Sequence, residues 1–197
     1  MAIVTIDTFK LYVENQRTGA DNTARLQSAL DAAHVAVYSY LGRSCEVASG
    51  SSARVYAPDG DEVLQIHDCT TITSVVENGV TLTSGTQYQP EPLNGVTFAG
   101  LAWPYEQLRR LNSFGWYTDP STYGKATVTV TATWGWSAAP APAVEAVKIV
   151  GKDIALAREL KGDVAGFAEF GAVRIRQNAQ VVAMLEDYRR LPIATVI

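Results

Sequence analysis

Apolar residues recur along this chain with two different periods, and the change of period divides it into three parts. Leu26, Leu30, Ala33, Val37 and Leu41 are spaced by 4, 3, 4 and 4 residues. That is the period of one face of an α-helix. Asp21 is placed to cap this helix after Gly19, and Gly42 to stop it. A shorter helix, roughly Thr8 to Asn15, is expected before it, with Phe9, Tyr12 and Val13 on its buried side.

From Ser49 to Trp136 the pattern becomes that of strands. Arg54–Ala57 and Val63–Ile66 flank the turn cluster Pro58-Asp59-Gly60-Asp61. Ile72–Val76 and Val80–Leu82 flank Asn78-Gly79, a strong short hairpin signal because both turn positions tolerate positive φ. Tyr88 lies in another short extended run. In Thr127–Trp134 the alternation is strict: Val128, Val130, Ala132 and Trp134 share one face, and Thr127, Thr129, Thr131 and Thr133 the other. Between about 95 and 125 the pattern is poor. This stretch reads as a long loop or irregular hairpin carrying exposed aromatics, among them Trp103, Tyr105, Trp116 and Tyr117. The plainer alternative is that they cover one end of the sheet.

The helical period returns after Pro140 and Pro142, where Val147, Val150, Ile154, Ala157 and Lys161 recur. Gly162 to Gly171 is a break, and Ala172–Arg176 a short extended segment. A last helix, roughly Asn178 to Arg190, carries Val181, Met184, Leu185 and Tyr188. The sum is an α+β fold. A helical body of two N-terminal helices, a long helix after Pro140 and a C-terminal helix comes from residues 1–48 and 137–197. An antiparallel β insertion occupies 49–136.

Composition changes this picture at one point. Apolar residues are 47% of the 197, enough for a real core, but charged residues are only 18%, against about 25% in an average domain. From Leu111 to Val144 only Asp119 and Lys125 are charged. The net charge of −4 offers no excess of cations for gripping nucleic acid. No signal peptide or membrane helix is legible, so a soluble chain made in a cytoplasm is expected. Cys45 and Cys69 read as free thiols, with one disulfide as the alternative.

Candidate chemistry is sparse. His67-Asp68-Cys69 is a cluster of reactive types, and a Cys–His pair is a conceivable nucleophile arrangement. A turn at a strand end is the plainer reading. His34 reads as a satisfied helix histidine, and Asp59-Gly60-Asp61-Glu62 as a solvated turn without a calcium ladder. No zinc spacing, phosphate loop or dinucleotide fingerprint occurs. No cofactor, metal or enzymatic activity is expected.

The order of motifs carries more. Val75, Asn78, Gly79, Leu82 and Tyr88, then a variable stretch, then Val128, Val130, Trp134, Gly135 and Pro140 before a helix, resemble the head-to-tail connector (adaptor) family of tailed bacteriophages. The ending Leu185-Glu186-Asp187-Tyr188-Arg189-Arg190 is similar to endings in that family. The resemblance spans roughly residues 8 to 192, and the long aromatic insert departs from it. It implies a structural protein of the virion neck, made in the host cytoplasm. Copies would form a closed ring, on the order of twelve. The ring would dock on the portal and extend the DNA channel to a stopper or tail-completion protein, with DNA passing through unbound. Arg174, Arg176, Met184, Leu185, Tyr188, Arg189 and Arg190 would then contact the portal or a neighbouring copy. Trp103, Tyr105, Trp116 and Tyr117 would meet the next ring or the stopper. Two other readings stand beside it: a binding module presenting the aromatic loop to a glycan or peptide, and an enzyme using His67 and Cys69.

Overall fold

The computed structural model describes residues 2–13, 19–97, 100–118, 127–161, 175 and 178–190. It divides into two units, Met1–Cys45 with Ala139–Ile197, and Glu46–Ala138. The fold is α+β, as the sequence implies.

The first unit is helical. Helix α1 spans Ile6–Tyr12, α2 Ala20–Leu41, α3 Ala141–Lys161 and α4 Ala179–Leu185, the last running into a 3₁₀ turn, Glu186–Tyr188. The predicted face of α2 is buried, from Leu26 to Leu41, and Gly42 closes the helix in the left-handed region at φ 65°. The expected Asp21 cap is not formed. The helix begins earlier, so Asp21 falls in the first turn, and Gly19 is the capping residue without a side-chain bond. Its carbonyl accepts from the Thr23 hydroxyl instead, at 3.0 Å. Helix α1 also starts before its expected position, because the Thr5 hydroxyl accepts from the Thr8 amide. Of its three expected apolar contacts, Phe9 is fully buried while Tyr12 and Val13 are half-buried.

Helices α2 and α3 pack together, and α1 and α4 close on them. Val147, Val150 and Ile154 are the buried face of α3. Gly151 lies on the same helix. A mid-helix glycine costs about 1 kcal/mol against alanine, and here it makes room: a Cβ would sit 2.9 Å from the Phe9 ring. His34 is satisfied within the unit. Its Nδ1 lies 3.0 Å from the Leu30 carbonyl, and its Nε2 accepts from the Val4 amide at 3.3 Å. One neutral tautomer makes both bonds. The C-terminal turn is fastened to the end of α2. The Tyr40 hydroxyl donates to Glu186, Arg189 lies over the Tyr40 ring, and the Arg190 amide donates to Leu41 O.

The second unit is a six-stranded antiparallel sheet. Its strands are β1 (Ser51–Tyr56), β2 (Val63–Glu77), β3 (Val80–Thr81), β4 (Tyr88–Glu91), β5 (Tyr105–Arg110) and β6 (Val128–Trp134). They run in the order β1-β6-β2-β5-β4, with β3 also on β2. Two expectations are corrected. The runs Val63–Ile66 and Ile72–Val76 are one 15-residue strand, and His67-Asp68-Cys69 lies in its middle rather than at a strand end. The stretch 95–125, read as a long loop or irregular hairpin, contains a regular strand, β5. Strand β1 contains the expected run from Arg54 and reaches back to Ser51.

Strand β2 is shared. Val63–Cys69 pairs with β5 and Cys69–Glu77 pairs with β6; the register shifts against β5 between Gln65 and Cys69, and against β6 between Cys69 and Thr71 and between Ile72 and Ser74. Each shift inserts unpaired residues in β2, which bend the strand and re-aim its side chains. The predicted apolar face of β6 is buried against this bend, with Leu64, Ile66, Val75, Leu82, Tyr88, Leu108 and Trp116. The opposite Thr face is half-buried. The Asn78-Gly79 hairpin forms with both residues at positive φ. Pro90 sits in β4, the edge strand where a missing donor does least harm.

The break Gly162–Gly171 and the residues after Arg190 lie outside the described residues. So does the segment 172–176 apart from Ile175, which is helical and buried where extended chain was expected.

Replacing Gly151 with Val should force the Phe9 ring off α3 and lower stability by about 1–3 kcal/mol. The shift is read from urea melts followed by helical circular dichroism. A variant as stable as its parent would show that this contact does not seat α1.

Candidate interaction surface

Strand β5 ends on two arginines, and β2 ends on Glu77. Arg110 and Glu77 form a salt bridge of 3.0 Å with side chains only 12% and 10% exposed. Buried charges are tolerated when both partners are held, and these are. Arg110 also donates to the carbonyls of Gln87 and Leu111, and its guanidinium lies 5.9 Å from the Trp116 ring centroid. The second Glu77 oxygen accepts from the Tyr117 amide at 2.8 Å. The pair thus joins the far ends of β2 and β5 and clamps the chain that follows β5.

That chain, residues 111–118, is set by contacts on both sides. Leu111 N–H donates to Gln87 O, and the Asn112 side chain donates to Thr86 O with its own backbone at φ 54°. Gly115, at φ 147°, lies so close to the Asp59-Gly60-Asp61 turn that a Cβ would overlap the Gly60 carbonyl oxygen. Trp116 follows into the core. It is 2% exposed, its amide donates to Asp61 O, and its indole N–H is shared between Glu62 O and Leu108 O.

The four aromatics proposed as a contact surface are therefore sorted. Trp116 is a core residue, not an exposed one. Trp103 is half-buried against the fully buried Trp136 ring at 5.1 Å, and Tyr105 is half-buried beside the core. Tyr117 is 41% exposed. The residue that stands fully in solvent is Phe114, at 105% of its reference exposure, which the sequence reading passed over. The available signal was a large apolar side chain between turn formers, Asn112-Ser113 and Gly115.

A polar network covers the neighbouring face. Arg109 donates to Glu91 at 2.8 Å and approaches Glu62 at 3.6 Å. Gln107 donates to the other Glu91 oxygen and accepts from Gln65. The hydrogen bond from Arg109 holds the Glu91 carboxyl below the usual carboxylate range, against the opposing effect of burial. Both arginines of β5 are thus matched by carboxylates.

The C-terminal candidates separate in the same way. Leu185 and Tyr188 are buried inside the helical unit and Met184 is half-buried. They hold the last helix down, and in this conformation they present little to a partner. Arg189 is exposed and paired with Glu186 at 3.7 Å, and Arg190 is half-buried. Arg174 and Arg176 lie outside the described residues.

His67 and Cys69 are parted by the bulge in β2. His67 is exposed, with Nδ1 2.8 Å from the Tyr56 hydroxyl, while Cys69 is fully buried. Burial, helped by Asp68, pushes the Cys69 thiol up to about 12. A nucleophilic cysteine needs the opposite shift. Asp68 itself accepts from the Trp136 indole N–H at 3.1 Å. Cys45 and Cys69 are both buried and are not joined in a disulfide. Among the described residues no cluster of three His, Cys, Asp or Glu is placed to hold a metal ion, and no helix is long and apolar enough to cross a membrane.

The sequence matches no family model and no curated protein. The fold does match a solved structure, a chain from the neck of an empty GTA particle computed with C6 symmetry. The TM-score is 0.55 at 22% identity, over 98% of this chain and 92% of that one. At that identity the likeness is one of fold.

The Glu91 carboxyl is lowered in the folded state, so its contribution to stability is complete above the unfolded carboxylate value of about 4.3. It is lost as pH falls through the lower folded value. Stability measured by denaturant melts across acid pH should therefore fall less steeply in Glu91→Gln than in the parent. Identical acid profiles would remove Glu91 from the balance.

Proposed function

We propose that this chain is a structural component of the neck of a tailed phage or a phage-like gene transfer particle. Its copies would form a ring between the head and the tail. The observation that carries this is the end-to-end likeness of fold to a chain of the GTA particle neck, over 98% of the present sequence. The order of motifs from Val75 to Pro140 supports the same reading.

In the finer form of the proposal the ring docks on the portal, holds about a dozen copies and extends the DNA channel toward a stopper. The charge pattern supports a conduit. A chain of net charge −4, whose β5 arginines are neutralised by Glu62, Glu77 and Glu91, has little to offer a phosphate backbone. A ring needs heterologous contacts on two sides of each copy, and a sparsely charged surface is suited to being covered by them. Of the proposed portal contacts, Arg189 and Arg190 keep accessible surface, and Arg174 and Arg176 remain candidates by sequence. Leu185 and Tyr188 would act by holding α4 in place.

The glycan- or peptide-binding alternative loses its main support, since Trp116 is core and Trp103 packs edge-to-face against Trp136. The enzymatic alternative loses its nucleophile at Cys69.

Deleting the gene from the genome that forms the particle should leave filled heads and free tails that are not joined. Supplying the protein in trans should restore joined particles. Joined, infectious particles formed without the protein would refute the assignment.

A further inference from the structure

We propose that His34 is an acid-opened clasp, independent of the neck assignment: on gaining a proton its imidazole releases the N-terminal segment and α1 from the helical unit. The bond from Val4 fixes the state of the ring. A backbone N–H can only donate, so the Nε2 that Val4 N–H meets at 3.3 Å carries no proton. The one proton of the neutral ring then sits on Nδ1 and is donated to Leu30 O at 3.0 Å. Both nitrogens are committed, and His34 is only 7% exposed. A second proton has to go on Nε2. There it turns an acceptor into a donor facing Val4 N–H, and it places a charge where water hardly reaches. Both changes are costly in a buried site. Moving Val4 away lets water reach the imidazolium and removes both costs.

The segment held by this bond has little else to stand on. Val4 and Phe9 are its buried residues, and Val4 precedes Thr5, the N-cap of α1. The helix has seven residues, well below the ~12–15 at which an isolated helix becomes even marginal, so it forms only while seated. The groups around the imidazole do not compensate its charge. Tyr38, one turn on, packs its ring beside it with centroids 5.9 Å apart, and a tyrosine stays neutral in acid. Asp7 on α1 and Asp21, Arg25 and Asp31 on α2 are exposed, and Lys10 is held by the Thr23 hydroxyl at 2.9 Å. On α3, Glu145, Lys148, Lys152 and Asp153 gather about Tyr12, while Val147, Val150 and Ile154 are buried. Glu186 and Arg189 meet Tyr40 near the far end of α2, and Arg43 is buried beyond it.

Hydrogen exchange of the full-length protein tests this, after correction for the intrinsic pH dependence of exchange. The opened segment leaves His34 in water, where a histidine takes its proton below about pH 6.5. Between about pH 7.5 and pH 5 the opened population should therefore rise roughly thirtyfold, read as lost protection in residues 2–13. Protection of α2 should stay as it was. In His34→Gln the side-chain oxygen accepts from Val4 N–H at every pH, so residues 2–13 should keep constant protection. Residues 2–13 that stay protected at pH 5 in the parent overturn the proposal. So does a loss of the same size in His34→Gln, or a loss in α2 that accompanies it, since the unit then unfolds as a whole. Should His34→Gln fail to fold, nuclear magnetic resonance of the parent decides. The His34 ring and the Val4 amide should change together with pH, and a protonated His34 with Val4 still protected overturns the clasp.

Discussion

The β unit is organised around one buried ion pair. Glu77 closes β2 and Arg110 closes β5, and the two side chains meet at 3.0 Å almost out of reach of water. Neither charge is tolerable alone in such a place. The pairing therefore demands that the two ends converge, even though β2 changes partners midway along its length. The same carboxylate accepts from Tyr117 N–H, and the same guanidinium bonds the carbonyls of Gln87 and Leu111. Through these bonds the chain after β5 returns to the sheet, Trp116 enters the core, and Phe114 is left outside.

Much of this architecture was legible in the sequence where local periodicity coincides with burial. Leu26 to Leu41 and Val128 to Trp134 follow from spacing, because these predicted positions are apolar and buried, and the Asn78-Gly79 hairpin follows from two residues that accept positive φ. What was hidden had non-local causes. Strand β2 breaks its own alternation at the register shifts between Gln65 and Ser74, so it read as two short strands. Strand β5, Tyr105–Arg110, has Leu108 as its single fully buried residue, and its opposite face is covered by the Glu91–Arg109–Gln107 network rather than by apolar packing. Trp116 read as exposed because its indole partners, Glu62 O and Leu108 O, come from the turn before β2 and from β5. Of the aromatics expected to be exposed between 95 and 125, Trp116 is buried, Trp103 and Tyr105 are half-buried and Tyr117 is exposed. Phe114 stands out only once Trp116 is seen to be buried.

The low charge of the chain acquires two separate meanings. Part of it is internal to the sheet: the Thr face of β6 is half-buried between β1 and β2, where hydroxyls suit a pleated surface and charges would not. The other part is neutralisation, since the β5 arginines are each met by carboxylates.

The central claim is that this chain forms a ring in a neck between head and tail. A cryo-electron reconstruction of the assembled particle, calculated without imposed symmetry, tests it most directly. The neck assignment requires a closed ring of copies at the head–tail junction, with each sheet and helical unit traceable as described here. Absence of the chain from that junction, or its presence as a peripheral decoration elsewhere on the particle, would contradict it.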